Sequence, residues 1–97
     1  MFRIEFTPEA VADLRVFRRY DQERVVGGIE GQLPHQATEP SRNRKRLRSN
    51  QLAEWELRIG DFRVFYDVDL DESLVKIEAI GYKDGSTLFV HGEEYEL

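Results

Sequence analysis

Residues 55 to 66 read Trp-Glu-Leu-Arg-Ile-Gly-Asp-Phe-Arg-Val-Phe-Tyr, two alternating runs about Gly60-Asp61. Alternation on both sides of a two-residue turn signal predicts a β-hairpin, although Asp-Gly is the more usual order. A hairpin fixes register, and register fixes which side chains share a face. Arg58 and Arg63 then stand on neighbouring strands, where two guanidinium forks suit a phosphate or a carboxylate. Just upstream lies a basic run, Arg42, Arg44, Lys45, Arg46 and Arg48. Broken by the apolar Leu47, it reads as a strand or short loop with one anchor in the core and its cations displayed to an anionic partner.

The rest of the chain supplies elements to cover such a hairpin. Phe2, Ile4 and Phe6 alternate with Arg3 and Glu5, which predicts a first strand. Thr7-Pro8-Glu9 provides a cap, a proline at the first helical position and an early acid. Ala10, Val11, Leu14 and Phe17 then keep helical spacing, and this helix is expected to end near Tyr20. Asp21 can cap a second helix through Val25, Val26, Ile29 and Leu33 up to Pro34. Gly27, Gly28 and Gly31 weaken that helix unless it packs tightly on a neighbour. Strands are expected over 52 to 59, 62 to 68 and 73 to 80, with Leu88-Phe89-Val90 adding an edge strand or packing on the core. Of Phe65 and Tyr66, which alternation sends to opposite faces, one is expected to be buried.

Ninety-seven residues suit one domain, 1–97. With no cysteine and only His35 and His91, the chain is expected to carry no disulfide, metal centre or cofactor. The alternating N-terminus is not a signal peptide, and no run reaches the roughly 20 apolar residues that span a bilayer. A cytoplasmic location without membrane partners is expected. Charge is polarised: residues 1 to 60 hold eleven Arg/Lys against nine Asp/Glu, whereas residues 61 to 97 hold three against ten. The formal net charge of −5 argues against a general nucleic-acid binder, and the local basic run argues for one anionic contact surface.

The stretch Leu47 to Asp69, followed by Ile77-Glu78-Ala79-Ile80-Gly81-Tyr82-Lys83, resembles the core of the RelE/ParE superfamily, the small toxins of type II toxin-antitoxin pairs. The family pattern is a basic-Leu pair, an aromatic-x-Leu-Arg-x-Gly-x-aromatic-Arg-hydrophobic-x-Tyr hairpin, and a hydrophobic strand ending in Gly and a basic residue. Arg46-Leu47, Trp55 to Tyr66 and Val75 to Lys83 supply those elements. The likeness extends more loosely over nearly the whole chain. It implies an α+β fold of order β-α-α-β-β-β, with two N-terminal helices packed on a mostly antiparallel sheet.

The resemblance also implies a function, that of a toxin with a cognate antitoxin as partner. RelE-type members cut messenger RNA on the ribosome, activating a ribose 2′-hydroxyl against the adjacent phosphate without a metal. ParE-type members poison DNA gyrase instead, and a third reading is a toxin-like protein that only binds its antitoxin. By resemblance Arg63 is the cation that holds the reacting phosphate, with Lys83 after the Gly of the last strand. RelE-type nucleases carry lysines where this chain has Glu54 and Glu56, and a tyrosine where it has Phe89. Other nuclease branches use a glutamate on this strand as general base, with a histidine or tyrosine near the C-terminus, so Glu54 or Glu56 with His91 or Tyr95 is a second candidate set. Arg42, Arg44, Lys45, Arg46, Arg48 and Arg58 are the expected RNA or partner contacts.

Overall fold

The computed structural model describes all 97 residues, and the 55 to 66 hairpin is the spine of its sheet. In chain order the elements are β1 (Arg3–Phe6), α1 (Pro8–Arg15), α2 (Arg19–Gln36), β2 (Arg44–Arg46), β3 (Trp55–Ile59), β4 (Phe62–Asp69), β5 (Leu74–Asp84), β6 (Thr87–Val90) and β7 (Glu93–Glu94). The strands form one sheet of order β2-β3-β4-β5-β6-β7, antiparallel throughout, and β1 joins β5 in parallel. The expected β-α-α-β-β-β order is present with three short strands added, β2, β6 and β7. Gly60 takes a positive φ of 59° and Asp61 does not. Positive φ at the first central residue alone is the mark of a II′ turn, which explains the Gly-Asp order.

Both helices cover one face. Val25, Ile29 and Leu33 of α2 and Ala10 of α1 pack with Trp55, Leu57, Val64, Tyr66, Val75, Ile77 and Ile80 of the sheet. Tyr66 stacks on Trp55 with ring centroids 6.1 Å apart, and its hydroxyl donates to the Ala37 carbonyl at 2.7 Å. That bond removes the cost of burying a phenol, and burial pushes the Tyr66 hydroxyl well above its ordinary pKa. On the opposite face Phe65 is also fully buried, beneath Ala53, Leu88 and Val90. Where one of Phe65 and Tyr66 was expected to be buried, both are. The residues after β5 fold back over the second face and give it a small core of its own.

Other boundaries move for identifiable reasons. Thr7 does cap α1, its Oγ1 accepting from the Ala10 N–H at 3.1 Å. The helix stops at Arg15 rather than near Tyr20, and Phe17 turns inward to pack on Phe62 at 4.8 Å and Tyr82 at 6.1 Å. The Gln22 amide donates to the Phe17 carbonyl that this break exposes, at 2.8 Å. Arg18, not Asp21, is the cap residue of α2, and Asp21 sits in its first turn, paired with Arg18 and Arg24. The helix runs two residues past Pro34, to Gln36. Of its three glycines only Gly28 answers to close packing, because a Cβ there would lie 2.5 Å from Ile59 Cδ1. The strand expected from Leu52 starts at Trp55, since Asn50 Oδ1 accepts the Leu52 and Ala53 N–H groups and holds them out of the ladder.

A bulge interrupts the β4–β5 pairing. Phe65 faces Ala79 while Tyr66 faces Ile77, so Glu78 is the additional residue. Burial first, then a hydrogen bond and charge repulsion from Asp67, push the Glu78 carboxyl up to about 7, with Glu9 adding and Lys76 opposing. The folded chain thus holds a proton that the unfolded chain releases near 4.5. Its contribution to stability is full below about 4.5 and is lost as pH rises through about 7. Urea midpoints for wild type and Glu78→Gln are expected to agree most closely near pH 4 and to diverge above pH 5, with the variant the more stable at pH 8. Parallel curves across that range would assign the titration elsewhere.

Candidate functional site

Strand alternation decides what the sheet presents on the face away from the helices. Lys45 of β2 pairs with Glu56 of β3, which pairs with Phe65 of β4. Two residues along, Arg58 is directly opposite Arg63, and Arg63 is opposite Gly81 of β5. Lys83 follows two residues beyond Gly81 on the same face. The result is an open cleft of about 600 Å³ in which Lys45, Glu56, Arg58, Arg63 and Lys83 face Tyr95, Glu96 and Leu97. None of its four cations makes an ion pair within 4.0 Å; the ion pairs of the chain lie elsewhere.

Arg63 is the most constrained of these cations. It is 5 % exposed, and its Nη1 donates to the carbonyls of Gly60 at 2.9 Å and Phe62 at 3.0 Å. The hairpin turn therefore holds one edge of the guanidinium, and Nε and Nη2 make no hydrogen bond within the protein. Burial, then the neighbouring Arg58, lower its pKa, while Glu56 and Asp61 act the other way. A guanidinium cannot respond by losing its proton, so it keeps an unbalanced charge that an anion would stabilise. Glu56 is 6 % exposed and is diagonal to Arg63 across the β3–β4 pair.

The basic run does not form one surface. Arg44 is buried, with its guanidinium bonded to Gln32 and to the Glu39 carbonyl on the helix side. This corrects the expectation of a single anchor at Leu47. Arg46 lies over the Trp55 ring at 5.9 Å and pairs with Glu54 at 3.8 Å. Period two sends these two away from the open face and leaves Lys45 alone in the cleft. Arg42 and Arg48 are exposed in the flanking loops.

Two candidate residues are not brought to Arg63. Glu54 immediately precedes β3, and there its carboxylate accepts from the Val68 N–H at 3.3 Å and its own N–H donates to Asp67 at 2.8 Å. His91 sits in the β6–β7 turn with its ring 2.7 Å from Asp13 on α1. Of the glutamate and tail-residue pairs open in the sequence, only Glu56 with Tyr95 shares the cleft. The sequence signal for Tyr95 is its place in the terminal segment; its reach depends on β6 and β7 reversing the chain, which periodicity did not specify.

The fold, a sheet backed on one face by two helices, has clear counterparts among known proteins. Residues 4–85 match the family of ParE toxins of type II toxin-antitoxin systems (parDE). The chain belongs to that family and so to the RelE/ParE superfamily. Among solved structures it is similar to a chain of the RelBE2 toxin-antitoxin complex of Mycobacterium tuberculosis, at 27% identity and a TM-score of 0.71, covering 84% of this chain and 91% of that one. A chain of the Staphylococcus aureus YoeB-YefM complex is 25% identical, with a TM-score of 0.62 and coverage of 87% and 99%. The archaeal RelE-RelB complex of Pyrococcus horikoshii OT3 shares the fold at 18% identity, with a TM-score of 0.62 over 78% of this chain and 88% of that chain. No curated protein sequence gives a significant match. No helix is long and apolar enough to cross a membrane.

Proposed function

We propose that this toxin cleaves messenger RNA on the ribosome and that the Arg63 cleft is its active site. The observation that carries this reading is the convergence of four cations without ion pairs on a buried carboxylate and a tyrosine. Glu56 and Glu96 leave the four cations with an excess of positive charge that a phosphodiester offsets, and Glu56 supplies a base beside it. In the proposed reaction Glu56 takes the proton of a ribose 2′-hydroxyl, and the 2′-oxygen forms a bond to the adjacent phosphorus. The bond from phosphorus to the 5′-oxygen breaks, and the Tyr95 phenol donates a proton to that leaving oxygen. A 2′,3′-cyclic phosphate and a 5′-hydroxyl result. Nε and Nη2 of Arg63, with Lys83, would stabilise the charge that builds on the phosphate oxygens. Lys45 and Arg58 would bind flanking phosphates, which makes affinity salt-dependent.

The solved neighbours are toxin-antitoxin complexes, which supports an antitoxin as the controlling partner. Acidic residues of such a partner suit the same cleft. The second reading is a poison of DNA gyrase, favoured by the matched family's description as ParE toxins. Pulse labelling after induction separates the two. Incorporation of amino acids is expected to fall first, together with new 5′ ends in messenger RNA, while DNA synthesis continues. An early stop in DNA synthesis with intact messages would support gyrase, and no change in either would support a protein that only binds its antitoxin.

A further inference from the structure

We infer that His91 acts as a positioning residue: its hydrogen bond to Asp13 clamps the terminal hairpin to α1 and so holds Tyr95 in the cleft. The inference rests on the reading of that cleft as an RNA-cleaving site. It starts from a gap in the sheet. Along one edge of β5, pairing with β1 ends at Ile77 and pairing with β6 begins at Tyr82. Side chains from the first helical segment fill the interval. Thr7 Oγ1 donates to the Glu78 carbonyl at 3.2 Å, and Asp13 Oδ2 accepts from the Ile80 N–H at 3.0 Å.

Asp13 is 8 % exposed and has one oxygen left, Oδ1, which faces His91 Nδ1 at 2.7 Å. A carboxylate only accepts, so the ring hydrogen sits on Nδ1 and His91 is the donor. The backbone of His91 is held at a φ of 56°, and Gly92 follows at 79°. A left-handed histidine costs free energy and persists where its surroundings fix it. Here the Asp13 bond supplies that constraint. The two left-handed residues reverse the chain, so that the Tyr95 N–H donates to the Leu88 carbonyl at 2.9 Å and the Tyr95 ring packs with the Phe65 cluster beside Arg63. Asp13 thus ties the helical layer to the hairpin that closes the cleft from the other side.

Two variants separate the bond from the backbone strain and from imidazole chemistry. In His91→Gly the left-handed φ costs nothing but the donor is absent. In His91→Asn the residue also tolerates that φ, and its Nδ2–H can replace the Nδ1 donor. Amide hydrogen exchange at Tyr95 is expected to quicken on the order of tenfold in His91→Gly, the loss of one hydrogen bond to a charged group. In His91→Asn it should stay within about twofold of wild type, on the same scale. Single-turnover cleavage on ribosomes should follow the same order. Combined with Tyr95→Phe, His91→Gly should add little further loss, because both act through one group. Unchanged Tyr95 exchange in His91→Gly would overturn the clamp. Cleavage lost equally in both His91 variants, with Tyr95 still protected in His91→Asn, would overturn it in favour of an imidazole that reacts itself. Exchange reads the clamp without any activity, so a wild type that cleaves no RNA would remove the RNA-cleaving reading and leave the exchange result to decide the clamp.

Discussion

Arg63→Ala is expected to lower single-turnover cleavage on ribosomes by roughly 100- to 1,000-fold, the range found when one donor to a developing oxyanion is removed. Ribosome affinity is expected to change far less. The asymmetry follows from where the guanidinium sits. One edge is committed to the Gly60 and Phe62 carbonyls, so the other is fixed in direction before any substrate arrives. A preset donor contributes most where charge is greatest, in the transition state, and less to a ground-state phosphate that keeps other contacts. Lys45 and Arg58 have no such anchor, and their loss should act mainly on binding and its salt dependence. Comparable losses of rate and affinity in Arg63→Ala would make Arg63 a binding residue. A stability measurement must accompany the kinetics, since the Nη1 bonds also brace the hairpin turn.

How much of this was legible in the sequence depends on the range of the physical signal. The hairpin about Gly60-Asp61 was plain, because alternation and turn chemistry are local; it placed Arg58 and Arg63 on neighbouring strands, and the register sets them directly opposite. Thr7 as a cap was equally local. The break at Val16 was not, because Ala10, Val11, Leu14 and Phe17 keep helical spacing. Phe17 leaves the helix for Phe62 and Tyr82, which lie over 40 residues away in the chain. Tertiary packing overrides periodicity there.

The site divides in the same way. The basic run was visible as composition, but its division was not, because that needed the knowledge that Arg44–Arg46 is a strand. Once it is, period two sends Arg44 to Gln32, Arg46 to Trp55 and Lys45 to the cleft. Glu54 and Glu56 looked equivalent in sequence. They differ because Glu54 stands just before the strand, beside Asp67, and Glu56 stands where β2, β3 and β4 are all paired. Residues after Gly85 carried the weakest local pattern. Those residues bury Phe65 and bring Tyr95 to Arg63.

Glu56 is where the candidate chemistries part most sharply. Its position corresponds by resemblance to a lysine in RelE-type nucleases, and an anion there is open to two explanations. If the cleft has lost its chemistry, Glu56 repels the phosphate, and Glu56→Lys should raise cleavage by adding a cation. If Glu56 is the base, Glu56→Gln should lower cleavage by about 100- to 10,000-fold, the usual contribution of general acid–base catalysis. Glu56→Lys should then be no better. The geometry favours the second outcome. Four cations line the cleft with Glu56 and Glu96, so the cleft stays positive with both carboxylates ionised and can still hold a phosphate. Glu56→Gln keeps the size of the side chain, which makes it the cleaner test of proton transfer. Glu54→Gln is the control, because Glu54 faces the Val68 N–H and Arg46 outside the cleft, and its loss should leave cleavage within a few-fold of wild type. Single-turnover rates for the three variants, measured beside Arg63→Ala, decide between the two. A gain in Glu56→Lys would mean an eroded nuclease site, and a collapse in Glu56→Gln with Glu54→Gln intact would mean a working base.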